Sequence, residues 1–193
     1  MKNLNSTYRV SVEPTVEPLD LSELKERLRI LTCDFDVELT DLMVAARKQV
    51  EYDTKRKLIT QTMILTMDAF PSGNAIELRQ IPVQSVTSVQ YLDEDRATQT
   101  FSSALYDTDL NSEPARIVLL EDESWEDTEP QYPAAVTVTF VAGYGDDATS
   151  VPVEAKLAIV EWCRMHWGSC DGDHLKYQNL VNHLAWTGIG API

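Results

Sequence analysis

Cysteine and histidine are scarce in this chain, three of each among 193 residues. Cys33, Cys163 and Cys170 are odd in number and too few to staple a fold of this size, so no disulfide framework is expected and a reducing cytoplasm suits them. Cations are also in short supply, with 16 Lys and Arg against 31 Asp and Glu and a formal net charge of −15. Phosphate backbones are held by clustered cations that release counterions, so the deficit speaks against a general nucleic-acid binder. No apolar run approaches the roughly 18 residues of a spanning helix. The opening Met1-Lys2-Asn3-Leu4-Asn5-Ser6 lacks the apolar stretch of a secretory signal, and a soluble protein without membrane association is expected. Catalytic signatures are missing as well: there is no G-x-S-x-G elbow, no H-E-x-x-H and no P-loop, and no histidine stands in a recognisable relation to Ser or Cys. Gly143-Tyr144-Gly145 lacks the third glycine of a dinucleotide fingerprint and reads as a tight strand-to-helix turn.

What is present is ordinary globular material, 44% hydrophobic and 24% charged, enough for one domain with an elaborated insertion. The acidity is uneven. Residues 80–151 carry fourteen acidic side chains and only Arg96 and Arg116 as cations, whereas both flanks are nearly balanced. Residues 1–18 show no apolar periodicity and contain Pro14 and Pro18, which predicts an extended N-terminal arm.

Asp20 with Glu23 forms a capping-box-like start for a helix over 21–30 carrying Leu21, Leu24 and Leu28. Asp34 and Asp36 can cap a second helix over 37–56, with one stripe of Leu39, Leu42, Met43, Ala46 and Val50 and three cations, Lys55, Arg56 and Lys57, at its end. From Leu58 the period changes to two, predicting antiparallel strands over 59–67, 76–78, 83–92, 98–101, 116–120 and 136–141. Asp93-Glu94-Asp95 and Pro71-Ser72-Gly73-Asn74 read as hairpin turns, and Glu121–Glu129 as a solvated acidic loop. Ser150 can cap a third helix over 152–167, and a fourth is expected over 174–186.

The fold class implied is α+β, an α-helical bundle with an inserted, mostly antiparallel β domain. Its parts are an arm at 1–18, a helical hairpin at 19–57, the inserted acidic β domain at 58–146, C-terminal bundle helices at 150–186, and a flexible tail at 187–193.

One constellation has metal-like spacing: Cys163, His166, Cys170 and His174, which could clamp a structural zinc between the last two helices. The competing reading has Cys163 packing as a small apolar group, His166 and Trp167 covering a neighbouring helix, and Cys170 and His174 lying in a loop. The second is adopted, so neither metal nor cofactor is assigned. Asp171-Gly172-Asp173 lacks the ligands of a calcium loop and reads as a turn. The paired acids read as solvated surface, with no catalytic role. Arg47, Lys48, Lys55, Arg56 and Lys57 sit beside Glu51 and Asp53 and suit a solvated helix end or an acidic protein neighbour better than a phosphate backbone. The residues alone thus describe an acidic, non-enzymatic binding or assembly module.

Several stretches resemble the head-tail connector family of tailed phages, the adaptor or head-completion proteins assembled beneath the portal. They are Leu58-Ile59-Thr60-Gln61-Thr62 with Leu65 to Pro71, Ile81-Pro82-Val83-Gln84-Ser85-Val86-Thr87-Ser88-Val89 within Leu78 to Asp93, and Pro114-Ala115-Arg116-Ile117-Val118. The strongest is Val136 to Gly145, followed by Val151-Pro152 and Ala155-Lys156; Glu17-Pro18-Leu19-Asp20-Leu21 with Leu24 and Leu28 also fits. The resemblance covers about residues 17–167.

It implies a helical bundle with an inserted β domain, assembled as a twelve-fold homo-oligomeric ring on the portal protein. Such a ring extends the DNA channel, lets DNA pass without specific binding, and gives a docking platform to the tail or stopper protein. The expected location is the head-tail junction of the virion, with assembly in the host cytoplasm. Within that frame Trp186, Ile189 and Ile193 are candidate portal contacts, against the alternative of a frayed terminus. The five cations of the second helix are inter-subunit candidates. Trp125, in the acidic loop, is a candidate tail-side contact or a core residue. The acidic excess either lines the channel, where like charge keeps DNA from adhering, or forms the outer face. Outside that frame stand an acidic DNA mimic or inhibitor and a small metal-binding protein.

Overall fold

The computed structural model describes residues 6–125, 133–167 and 174–185. The strands are β1 (Ser6–Val12), β2 (Gln61–Met67), β3 (Ala75–Leu78), β4 (Val83–Leu92), β5 (Thr98–Thr100), β6 (Tyr106–Asp109), β7 (Ala115–Leu119) and β8 (Val136–Ala142). The helices are α1 (Leu21–Leu28), α2 (Asp36–Thr54), α3 (Val153–His166) and α4 (His174–Leu184), with short 3-10 turns at Ser103–Leu105 and Ala148–Ser150. The class is mixed α and β, and all strand pairings among the described residues are antiparallel. The chain divides into two compact units: one of Met1–Glu13 with Gln61–Ala142, holding every strand, and one of Pro14–Thr60 with Gly143–Ile193, holding every helix.

The strand unit contains a five-stranded sheet, β1-β2-β8-β4-β5, and a three-stranded sheet, β3-β7-β6. In β2 the buried Met63, Leu65 and Met67 alternate with Thr62, Ile64 and Thr66, and in β8 Val136, Val138 and Phe140 alternate with Thr137, Thr139 and Val141. Side chains of successive strand residues point to opposite faces, so this period-two pattern buries one face of each strand. These residues share one apolar cluster with Ile76, Leu78, Ala115 and Ile117 of the smaller sheet, so both sheets of the unit serve a single core.

Two strands were not expected from the sequence. The arm expected over 1–18 is, at Ser6–Val12, strand β1, paired with β2 from Ser6↔Met67 to Val12↔Thr62. As an edge strand it is exposed along most of its length, which is why it shows no apolar period. β6 reads Tyr-Asp-Thr-Asp and becomes a strand by pairing with β7.

Asp93 does turn a hairpin, joining β4 to β5; its carboxylate accepts from the backbone N–H of Asp95 and Ala97 and from Gln99 Nε2. Those bonds hold its carboxyl below the usual aspartate range. Pro71-Ser72-Gly73-Asn74 is not a hairpin turn. It carries the chain from β2 in one sheet to β3 in the other, because both edges of β2 are already taken by β1 and β8.

In the helical unit, Leu24 of α1, Met43, Ala46 and Val50 of α2, Ala155, Ala158, Ile159 and Cys163 of α3, and Tyr177 and Val181 of α4 form one apolar cluster. Asp20 is the N-cap residue of α1, without a side-chain cap bond, and Arg29 closes that helix in the left-handed region. The expected caps of the other helices are displaced. Phe35 is the N-cap of α2, and Asp36 lies inside the helix and pairs with Lys25 at 2.6 Å. Pro152 is the N-cap of α3, whereas Asp147, not Ser150, caps the preceding 3-10 turn through the N–H groups of Thr149 and Ser150.

Gly143 has φ +142°, and a Cβ there would lie 2.5 Å from Thr60 N and 2.6 Å from Ile59 C. The chain needs glycine at this point for both conformation and space. Beside it the Thr60 N–H donates to Gly145 O at 2.9 Å.

Candidate assembly surfaces

The five cations of the second-helix region divide into three kinds once folded. Arg47 and Glu51 lie on the inner side of α2 with only 3% exposure each. Arg47 Nε donates to Glu17 Oε2 at 2.8 Å, Arg47 Nη1 is 3.6 Å from Glu51 Oε1, and Lys57 Nζ reaches Glu51 Oε2 at 3.2 Å. The backbone N–H of Leu58 also donates to Glu51 Oε1, at 3.1 Å. A buried charge is tolerated when it is paired, and here Glu17, Arg47, Glu51 and Lys57 pair with one another, with Arg47 Nη1 in ion-pair range of Glu51 but without a hydrogen bond of its own. Arg47 and Lys57 therefore tie the segments flanking α2 to that helix rather than presenting charge outward.

Arg56 Nε donates to the carbonyl of Leu184 at 2.6 Å, at the last turn of α4, where a cation meets the helix dipole favourably. Lys48 and Lys55 are exposed. Lys55 Nζ sits 4.1 Å from the ring centroid of Tyr52, itself an exposed side chain, so the outer face of α2 presents a Lys-Tyr-Lys stripe at helical spacing.

Buried Glu161 of α3 accepts from Arg164 Nη1 at 2.7 Å and Lys176 Nζ at 3.0 Å, clamping α4 to α3. Arg164 Nη2 also donates to the carbonyl of Arg27 at 3.2 Å. Sequence reading missed this clamp. Glu161, Arg164 and Lys176 are ordinary helix-surface residues by type, and fifteen positions separate the acid from the lysine.

Cys163 points into the helical core with Sγ 3.9 Å from Leu42 O, and burial pushes its thiol up to about 12. His166 instead stacks on Trp162 with centroids 3.8 Å apart, its Nδ1 2.8 Å from Trp162 O, and is exposed, as is His174 at the start of α4. Cys170 lies outside the described residues, among which no group of three or more His, Cys, Asp or Glu could hold a metal ion.

Trp125 stacks on Phe70 with centroids 4.8 Å apart at 8°, lies 5.2 Å from the Phe101 ring, and donates Nε1–H to Gly73 O at 2.8 Å. Its ring covers one end of the strand-unit core. The candidate portal contacts Trp186, Ile189 and Ile193 lie outside the described residues. The two units differ in charge: the strand unit carries fifteen acidic and five basic residues, the helical unit sixteen and eleven.

No family model matches the chain, and no curated protein matches it. Solved structures do. A chain of the native gene transfer agent (GTA) virion superposes with a TM-score of 0.80 at 18% identity, covering 96% of this chain and 98% of that one. A chain in the neck of the empty GTA particle, computed with C6 symmetry, gives 0.79 at 20% identity over 96% and 98%. A chain in the neck of the native GTA particle, computed with C12 symmetry, gives 0.72 at 18% identity over 97% and 98%. The chain therefore has the fold of chains in the gene transfer agent particle and its neck, over nearly its whole length. Identities this low establish the fold and nothing finer.

Proposed function

We propose that this chain is a structural head-tail adaptor of a tailed-phage-type particle. It forms a homo-oligomeric ring, twelve-fold, beneath the portal protein, extends the DNA channel and offers a docking platform to the tail or stopper protein. The observation that carries this reading is the end-to-end fold likeness to neck components of a phage-like particle, one of them in a neck computed with C12 symmetry. In this reading 19–57 and 150–186 are the bundle, 58–146 is the inserted acidic domain, and the protein works by binding alone, without catalysis or a cofactor.

A cyclic ring needs heterologous contacts, in which one face of a subunit meets a different face of the next. The exposed Lys48 and Lys55 supply a basic face, and the strand unit of a neighbour supplies an acidic one. Trp186, Ile189 and Ile193 are assigned to the portal contact. Trp125 remains the tail-side candidate through whatever part of its half-buried ring the next component covers. The acidic excess of the strand unit also suits a channel through which DNA slides without adhering.

Quantitative mass spectrometry of purified particles from the producing strain tests the reading. Twelve copies per particle, matched to the portal, are expected. Absence from the particle overturns the adaptor assignment.

A further inference from the structure

The connection from α1 to α2 carries a side chain that its own fold does not use. Leu31 is 99% exposed, and Val37, at the start of α2, is 77% exposed. The loop is nonetheless held firmly. Arg29 turns the chain out of α1 at φ 59°, with its N–H on Glu26 O at 3.1 Å and the Ile30 N–H on Lys25 O at 2.9 Å. Past the tip, the Asp34 N–H donates to Thr32 Oγ1 at 3.0 Å, the Asp36 N–H donates to Cys33 O at 3.3 Å, and Lys25 pairs with Asp36. A leucine displayed on a loop ordered in advance loses little freedom when it is bound.

At the other end of α1 the same unit carries a cavity of about 470 Å³, open to the surface, with Val16 and Leu21 accessible in its wall, the core residues Leu19 and Met43 at its floor, and Asp20 and Asp147 exposed beside them. An apolar cavity of roughly 150 Å³ takes a benzene-sized group, so this one has room for a leucine side chain and adjoining backbone. The knob does not fill its own chain's cavity, since Leu31 is exposed. The two features are separated by the eight residues of α1, about 12 Å of helix. Charge agrees with shape, because Arg29 at the base of the knob is exposed and the cavity is lined by three carboxylates, Glu17, which is paired with Arg47, and the exposed Asp20 and Asp147.

We propose that Leu31 of one copy of this chain seats in the cavity walled by Val16, Leu19, Leu21 and Met43 of the next copy, with Arg29 facing Asp20 and Asp147. Knob and hole at opposite ends of one helix form a head-to-tail contact that repeats from subunit to subunit, the type that closes a ring. The contact deepens the adaptor reading and rests on it.

Particles carrying Val16→Cys and Leu31→Cys together, with Cys33→Ser and Cys170→Ser and only the buried Cys163 kept, are treated with a short bismaleimide. The expected result is a ladder of covalent multimers of this chain, with no ladder from either single cysteine. A particle that contains the chain but yields no ladder overturns the contact and leaves the adaptor reading standing. Absence of the unsubstituted chain from particles overturns both. A second variant, Leu31→Asp, is expected to keep its unfolding midpoint, since Leu31 is exposed in the isolated subunit, while its incorporation falls at least tenfold. Normal incorporation of Leu31→Asp also overturns the contact.

Discussion

The Tyr177 hydroxyl of α4 donates to Asp53 Oδ2 of α2 at 2.6 Å, across 124 residues of sequence. The ring is buried, and burial first, then the neighbouring Asp53 carboxylate, pushes the phenol well above its ordinary value of 10. Together with Arg56 on the Leu184 carbonyl, it fastens α4 to the end of α2.

Tyr177→Phe is expected to cost about 1.5–3 kcal/mol, the range for a hydrogen bond to a charged group, read by urea unfolding. The pH dependence carries the same sign. A phenol raised in the folded state contributes stability that is complete below the ordinary tyrosine value and lost as pH climbs through the folded one. Wild type should therefore lose stability above about pH 10 more steeply than Tyr177→Phe does.

Glu51→Ala leaves Arg47 buried without the Glu51 carboxylate and strips Lys57 and the Leu58 N–H of an acceptor. Removing one member of a buried ionic set costs about 3–5 kcal/mol. By comparison, Glu23→Ala breaks only the exposed pair with Arg27 and is expected to cost less than about 1 kcal/mol.

Gly143→Ala forces a side chain into the backbone of Ile59 and Thr60 at a φ that L-residues avoid. The loss is expected at about 1–3 kcal/mol, read as a lower unfolding midpoint. Gly73→Ala, where nothing lies within 4 Å of the new Cβ, is the tolerated control.

Lys48→Glu with Lys55→Glu reverses the exposed charge of α2 and removes the Lys55–Tyr52 contact, worth about 0.5–1 kcal/mol at an exposed site. Stability should change by no more than about 1 kcal/mol, while copies per particle fall several-fold if this face meets an acidic neighbour. Unchanged incorporation would remove both lysines from the inter-subunit surface.

Much of the secondary structure was legible because burial imposes a period. The stripe Leu39, Met43, Ala46, Val50 announces α2, and the Met63, Leu65, Met67 alternation announces β2, because each must hide one face. β1 and β6 were not legible, because they are strands by virtue of a partner's free edge and bury little of their own. The Asp93 turn was readable from its local carboxylate, whereas Pro71–Asn74 looked the same locally and turned out to change sheets.

The sequence by itself determined where apolar faces fall, how acidic the middle of the chain is, and that no recognised catalytic motif is written in it. Only the tertiary structure decided which charges face inward. Arg47, Lys57 and Glu161 have the same local surroundings as exposed helix-surface residues, and their roles come from Glu17, Glu51 and Lys176 brought to them by folding. Helical periodicity reports which side of a helix is apolar. It does not report which partner arrives there from elsewhere in the chain, and a charge is buried only where such a partner offsets its desolvation.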